Sequence, residues 1–457
     1  MFTALEFENY MSFKHLEFNI QKKNKAKKIV AIYGENGSGK SNIVSAFMNL
    51  NFSIRTLRNL NLITNAKEIL NSDEPDADKD KDFNRKLDIM MKVFRNERYS
   101  KLSSIFSRAY MLETEEPMKI KYEFQINGHN GYYELVFKKN NGEVYLASEK
   151  LNFLINKARG NLFEISSNNN GKIDVNFSPN LFKNKDAKTI MNNSIARFWG
   201  KHTFLSIFDD FEDSTNSNYV QDNVSKNLRI VINNFKSISF RADDASGTVQ
   251  LRKMLHNLAN GSISKDEDSK IDITEKALKN YFIPLYSDIE DIFYERNNSQ
   301  ENKIEYRLFE KKRMNNELIT IPFEMESNGT KKLLELFPLF LNVIAGQTVI
   351  IDEIDQGIHD LLIERIIDNI KEDIEGQLIF TTHDTQIMQQ LDVGSLYVLQ
   401  VESDGSKRIV NLSNASQKQL GTNNNIQKLY LNGYFSGIPY ADDVDFYDIL
   451  ENMGENE

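Results

Sequence analysis

The apolar and polar positions alternate from the first residues. Thr3–Phe7 and Phe13–Ile20 read as two strands around a turn at Glu8–Ser12. A lysine-rich connector follows, with Lys22, Lys23, Lys25, Lys27 and Lys28, and reads as a solvated hairpin loop. Ile29–Tyr33 is an unbroken apolar run, the pattern of a strand covered on both faces, and Asn42–Leu50 reads as helix. From Asn51 to Arg98 the pattern is mostly helical, interrupted at Asn71–Asp82 by six acids, two lysines and a proline, the mark of an exposed loop. Residues 119–153 return to period two, and Asn127-Gly128-His129-Asn130-Gly131 between Lys119–Ile126 and Tyr132–Phe137 predicts a hairpin. Residues 180–300 are polar and Asn-rich and read as mainly helical, with loops near 212–222 and 260–270. Leu333–Ile344 is an apolar helical stretch. Apolar residues at 358, 362, 366, 370 and 374 describe the crossover helix of a β-α-β unit between the runs Thr348–Ile351 and Leu378–Thr382. No sustained heptads and no fixed-period repeat are visible.

Composition narrows the chemistry without naming it. The 457 residues are 40% hydrophobic and 27% charged, the makeup of a globular chain of two to three domains. A net charge of −10 argues against a protein that coats nucleic acid with its whole surface, while leaving room for a local basic face. With no cysteine there is no disulfide framework, thiolate nucleophile or Cys-ligated zinc. The six histidines fall at 15, 129, 202, 256, 359 and 383, with no pair at ligand spacing. Met1–Ile20 lacks the continuous apolar core of a signal peptide, and Leu333–Ile344, which carries Glu335, Pro338 and Asn342, is too short to span a bilayer. The expected location is the cytoplasm, with no membrane contact.

One stretch changes the picture. Gly34-Glu35-Asn36-Gly37-Ser38-Gly39-Lys40-Ser41, between a buried-strand run and a helix that opens near Asn42, fits the phosphate-binding P-loop without a mismatch. Its glycines let successive backbone N–H groups point at a phosphate, and the helix N-terminus adds its positive end. Lys40 is suited to reach β- and γ-phosphate oxygens and Ser41 to ligate Mg²⁺. Such a loop needs an acidic companion, and Thr348–Ile351 ends in Asp352, which would hold the Mg²⁺ hydration shell, and Glu353, which is positioned to polarise an attacking water. Ser327-Asn328-Gly329-Thr330 opens the Lys331–Ile344 helix. It reads either as an ordinary Ser/Gly cap or as a donor to phosphate. Leu378–Thr382 leads to His383, a strand-end histidine able to contact a γ-phosphate.

In this order, P-loop, Ser-Asn-Gly-Thr, Asp-Glu and strand-end His, the motifs resemble the ABC-type ATPase head (SMC/RecF-like), and more closely its AAA15/AAA21 branch. The resemblance extends to Leu5–Phe18 around Asn9-Tyr10-Met11-Ser12-Phe13, to Glu326–Leu334, to Asp352–His359, and to Ile426–Gly433 leading to Ile438-Pro439. It is strong over about 1–50, 115–155 and 320–440 and poor over 55–115 and 180–300. It implies an α/β fold: an ABC-type P-loop ATPase head with a mixed sheet and an antiparallel β-subdomain, plus a mainly helical insertion. The implied division is 1–155 for the first part of the head, 156–318 for the insertion, 319–440 for the second part and 441–457 for an acidic tail.

The resemblance also implies roles. ATP and Mg²⁺ are the expected cofactors, with Gly34 through Asn42 cradling the nucleotide. Ser327, Gly329 and Thr330 stand for the ABC signature and would complete the ATP site of a second subunit in a head-to-tail homodimer or higher even oligomer. His383 stands for the switch histidine. His359 sits where transporter-type members carry a D-loop aspartate, at the expected dimer interface. Gln125 is the nearest candidate for the Q-loop, and His15, His129, His202 and His256 read as structural or surface residues. Asn328 and Thr330 depart from the Gly and Gln of transporter signatures.

Relatives in this branch occur in bacterial antiphage and abortive-infection systems of the Septu, PARIS and AbiL type. The implied function is an ATPase whose nucleotide-driven dimerisation controls a separate effector, a nuclease or toxin. A RecF/SMC-like DNA repair or DNA-end-binding ATPase is the alternative, with a possible DNA contact. A third reading is an ATP-gated nuclease, for which Asp442-Asp443-Val444-Asp445 resembles a metal-binding acidic pair; the favoured reading of that run is a disordered acidic C-terminus.

Overall fold

A computed structural model describes residues 1–71, 97–168, 171–242, 245–298, 302–414, 425–438 and 442–453. Most of the expected acidic loop 71–82, and Pro439, lie outside these. The chain opens with β1 (Phe2–Tyr10) and β2 (Phe13–Asn19), a small ribbon of β3 (Gln21–Lys22) and β4 (Lys25–Ala26), and then β5 (Ile29–Tyr33). An antiparallel run follows: β6 (Met118–Ile126), β7 (His129–Asn140), β8 (Glu143–Ile155), β9 (Ala158–Ser167) and β10 (Ile173–Phe177). After helices between 185 and 236 come β11 (Ser239–Ala242) and β12 (Ala245–Gly247). A meander of β13 (Asn260–Ser264), β14 (Ile289–Asn298), β15 (Lys303–Met314) and β16 (Glu317–Pro322) follows. The last strands are β17 (Thr348–Ile351), β18 (Gln377–Thr381), β19 (Leu396–Val401) and β20 (Lys407–Asn411).

Two seven-stranded sheets dominate. One, in the order β10-β9-β8-β7-β6-β1-β2, is antiparallel throughout. The other runs β12-β11-β17-β18-β5-β19-β20, with β11, β17, β18, β5 and β19 parallel and an antiparallel strand at each edge. The apolar runs of this mixed sheet are continuous because both faces are covered. Val30, Ile32, Ile350 and Ile379 point into a core shared with the antiparallel sheet and the helix Lys40–Ser53. Ile29, Ala31, Tyr33, Val349, Ile351 and Phe380 point into a second core, shared with the helices Asn328–Ile344 and Asp360–Asp373 and the meander. Among the described residues no helix is long and apolar enough to cross a membrane.

The 156–318 segment departs from the expectation of a mainly helical insertion. Its helices 185–198, 204–214, 217–223, 226–236 and 269–282 are present, but β9 and β10 extend the antiparallel sheet, β11 enters the mixed sheet, and β13–β15 begin the meander. The polar, Asn-rich composition masked the strands, because β10 and the ends of β14 and β15 have exposed residues in place of a clean alternation. The expected loop at 212–222 is largely helix, and 260–264 is strand. The 127–131 hairpin closes more tightly than expected, through a two-residue turn with Asn127 at φ 51° and Gly128 at φ 78°. The acidic stretch near 442–445 is exposed, and Asp445 accepts from the N–H groups of Tyr447 and Asp448 to cap the helix Phe446–Asn452, so this part of the tail is ordered.

Candidate nucleotide site

The P-loop leaves the carboxyl end of β5, and the helix Lys40–Ser53 begins at once. Glycine is required here by two close approaches. A Cβ on Gly34, at φ +149°, would stand 2.7 Å from the Leu399 carbonyl oxygen. One on Gly39, at φ +110°, would stand 2.9 Å from the Phe13 ring. Lys40 is buried, and its ammonium donates to the carbonyls of Gly34 (2.8 Å) and Glu35 (3.1 Å). Burial lowers its pKa, while Asp352, Glu353, Asp355 and Glu35 oppose the shift. Glu35 and Gly39 are partly covered, whereas Asn36, Gly37 and Ser41 are exposed at the rim.

β18 lies between β5 and β17, so Asp352 and Glu353 at the end of β17 are two strand spacings, about 9–10 Å, from the line of β5. They are fixed by a residue that the sequence reading did not single out. Thr381, the last residue of β18, donates its hydroxyl to Asp352 Oδ1 and accepts from the Glu353 N–H at 2.8 Å. Glu353 sits at φ 48°, a left-handed backbone unusual for a side-chain-bearing residue. The Thr381 bond to its N–H and the Gln356 N–H bond to its carbonyl (3.0 Å) hold it there. The Asp352 N–H donates to the Arg241 carbonyl at the end of β11 (2.8 Å). His383 follows β18 directly and is exposed, its N–H donating to Asp355 Oδ2 (3.3 Å). Burial first, and then the Lys40 cation, lower its pKa and favour the neutral ring, against the pull of three carboxylates.

A second brace comes from the far edge of the sheet. Lys407 of β20 donates to the Gly37 carbonyl (2.9 Å) and to Ser12 Oγ (2.8 Å), and Asn42 Nδ2 donates to the same hydroxyl (2.7 Å). The β1–β2 turn is thus tied to the loop and to the first turn of its helix. A lysine in a polar hairpin carries no sequence signal for this, and only the topology brings it to the loop.

Residues present fit a phosphate and a divalent cation. Among the described residues, Ser38 Oγ in the loop, Asp355 Oδ1 and Asp384 Oδ2 are buried polar atoms without a partner. Burial pushes the Asp384 carboxyl up to about 6. A Cβ built on Gly37 meets nothing within 4 Å, so open space lies beside the loop.

The Ser-Asn-Gly-Thr segment opens the helix Asn328–Ile344. Ser327 is its N-cap, with Oγ accepting from the Thr330 N–H (3.1 Å) and lying 2.8 Å from Thr330 Oγ1. Gly329 abuts the loop after Glu353, where an added Cβ would be 2.5 Å from the Gly357 carbonyl oxygen. His359 is exposed and caps the helix Asp360–Asp373, its Nδ1 accepting from the Leu361 N–H (3.2 Å). Gln125 is misplaced for a Q-loop. It pairs with Met1 and Asn24, and the neighbouring Phe2 bonds Gln377 at the start of β18, which is the end of the parallel strands away from the P-loop. Of the other histidines, His202 is buried against Thr56, with its pKa lowered to about 4 by burial, and His15 and His129 are exposed.

Residues 196–389 match the model of a family described as an AAA domain, putative AbiEii toxin, type IV toxin–antitoxin system. The matched segment takes in Ser327–Thr330, Asp352–Glu353 and His383, and begins after the P-loop. No curated protein matches the chain. Solved structures similar to it include an SMC head domain from Thermotoga maritima, 12% identical, covering 90% of this chain and 98% of that one with a TM-score of 0.38. An SMC head bound to the C-terminal winged-helix domain of ScpA is 15% identical over 91% and 99%, with a TM-score of 0.42. An SMC head with an extended coiled coil, bound to the C-terminal domain of ScpA derived from Pyrococcus furiosus, is 13% identical over 90% and 95%, with a TM-score of 0.38.

Proposed function

We propose that this ABC-type head binds and hydrolyses ATP, and that its nucleotide-driven dimerisation controls a separate effector in bacterial antiphage defence. The observation that carries the reading is the shared rim: P-loop, Asp352–Glu353 and His383 all leave the carboxyl ends of the adjacent parallel strands β5, β17 and β18. In this reading the loop amides and Lys40 bind the β- and γ-phosphates, and Ser41 and Asp352 hold Mg²⁺. The metal would neutralise charge on the phosphate oxygens. Glu353 polarises the attacking water, and neutral His383 donates to the γ-phosphate. Ser327, Gly329 and Thr330 serve the site of a second copy. Supporting that geometry, Ser327 and Thr330 stand at the N-terminus of a long helix, where anions are stabilised.

Two substitutions test it. Lys40→Ala abolishes ATP binding in equilibrium dialysis. Glu353→Gln retains binding, loses turnover, and shifts the chain to a dimer in ATP on size-exclusion chromatography with light scattering. Turnover by the Glu353 variant at the unmodified rate overturns the role given to that carboxylate. Loss of phage protection in cells carrying Lys40→Ala supports the defence role; full protection by that variant rejects it.

A further inference from the structure

The lysine-rich connector builds a surface that the nucleotide reading leaves unused. It folds as the ribbon β3–β4, closed by a two-residue turn with Lys23 at φ 51° and Asn24 at φ 60°. Lys22 and Lys25 face each other directly across that ribbon, a like-charge pair that is unfavourable on its own. Lys22, Lys23 and Lys25 are exposed, and among the described residues no carboxylate pairs with them. This contrasts with the face of the antiparallel sheet, where Lys119 and Lys121 are matched by Glu6, Glu8, Glu123 and Glu134.

The ribbon is one wall of an open groove of about 690 Å³. Six lysines line it, Lys22, Lys23, Lys25, Lys27, Lys28 and Lys371, with two acids, Glu372 and Asp392; Lys28 is matched by Glu375 (3.9 Å) and Lys371 by Asp368 (2.6 Å), so the unmatched charge is that of the ribbon. The floor is fixed. Lys27 donates to the Gly394 carbonyl (2.6 Å) and the Tyr397 hydroxyl, and Lys28 to the Ile374 carbonyl (2.5 Å). Burial and then the charge of Lys22 lower the Lys27 pKa to about 8, so excess positive charge is already felt within the groove. Gly394 precedes β19, Ile374 precedes β18 and Lys28 precedes β5, so the groove lies at the amino ends of the parallel strands. The P-loop is at the other end of β5, about 16 Å away along its five residues.

We infer that this groove binds the phosphodiester backbone of a nucleic acid, with the β3–β4 ribbon as its positively charged wall. A polyanion supplies the counter-charges the ribbon lacks, and the −10 charge of the whole chain confines the contact to this face. Backbone contacts of this kind read charge and not sequence. The inference does not depend on ATP chemistry, so Lys40→Ala leaves it intact.

The test is fluorescence anisotropy with a labelled 30-base-pair duplex between 50 and 200 mM salt. Three phosphate contacts give a slope of log K against log salt near −2.7, about a 40-fold weakening over that range. The variant K22Q/K23Q/K25Q is expected to lose that slope and most of the affinity at 50 mM, with thermal stability unchanged because the side chains are exposed. K22R/K23R/K25R is expected to retain both. Equal binding and slope in the Gln variant overturns the assignment, as does absence of binding by the unmodified chain at 50 mM salt. If poly-glutamate of matched charge binds as tightly as the duplex, and with the same loss in the Gln variant, the groove serves an acidic protein partner and the inference fails.

Discussion

Thr381 holds Asp352 by donating its hydroxyl hydrogen to Oδ1, and Thr381 Oγ1 itself accepts the N–H of Glu353, the residue after Asp352. One side chain at the end of β18 therefore holds the Asp352 carboxylate and the Glu353 backbone at the end of β17. Replacing Thr381 with Val keeps the shape and removes both bonds. We expect kcat for ATP hydrolysis to fall by about 10–100-fold, the usual scale for losing a partner that orients a ligand. Thr381→Ser should restore most of it, which a purely structural role for the methyl group would not allow. Steady-state kinetics on the three proteins decides it.

Lys407 braces the P-loop from outside. Its bonds to the Gly37 carbonyl and Ser12 Oγ tie the loop to β20 and the β1–β2 turn, while the Lys40 ammonium occupies the carbonyls of Gly34 and Glu35. Lys407→Met should raise KM for ATP by about tenfold, from one charge-assisted bond of about 1.5 kcal/mol, with kcat nearly unchanged. A fall in kcat at constant KM would instead place Lys407 in the chemistry.

These two residues mark the limit of what the sequence made legible. The P-loop, the Asp-Glu strand end and the strand-end histidine could be read because each chemistry sits in consecutive residues after an apolar run. Thr381 was visible only as part of such a run. Lys407 and Ser12 meet through contacts 395 positions apart, which no local pattern encodes. The strands β9–β11 and β13–β15 were missed for a related reason. Their alternation is blurred by exposed polar residues, and what holds them is pairing to strands elsewhere in the chain. Gln125 failed as a Q-loop because sequence order does not say at which end of a sheet a residue lies.

Gly329 tests packing between the Ser327–Thr330 segment and the loop after Glu353. In an open helix, Gly→Ala stabilises by about 1 kcal/mol. Here the new Cβ would lie 2.5 Å from the Gly357 carbonyl oxygen, a backbone atom that cannot rotate away. The clash should win: Gly329→Ala is expected to lower stability by about 1–3 kcal/mol in urea unfolding and to reduce ATPase activity. A gain in stability would mean that the two segments separate easily.

The same helix start carries a pH dependence. Glu310 is fully buried beside Glu326, and Lys312 bonds Glu326 at 2.6 Å while lying 3.9 Å from Glu310. Burial first, and then the neighbouring Glu326, push Glu310 up to about 8. Glu326 is pulled down to about 2, the neighbouring Glu310 carboxyl and its bonds to Lys312 and the Ser327 N–H outweighing its desolvation. The two shifts act in opposite directions on stability. A raised carboxyl favours the fold below its unfolded pKa of about 4.5, and that contribution is lost as pH rises through 8. The depressed Glu326 contributes above about 4.5 and is lost as pH falls toward 2. Between pH 5 and 8, where Glu326 is constant, Glu310 adds a falling slope to those of the other groups that titrate there, with a ceiling of about 1.4 kcal/mol per pH unit for its one proton. Glu310→Gln should flatten the fall in unfolding free energy over that window and leave the acid limb in place. If urea unfolding at pH 5, 6.5 and 8 shows the same slope in both proteins, the proton taken up in this window resides on a group other than Glu310.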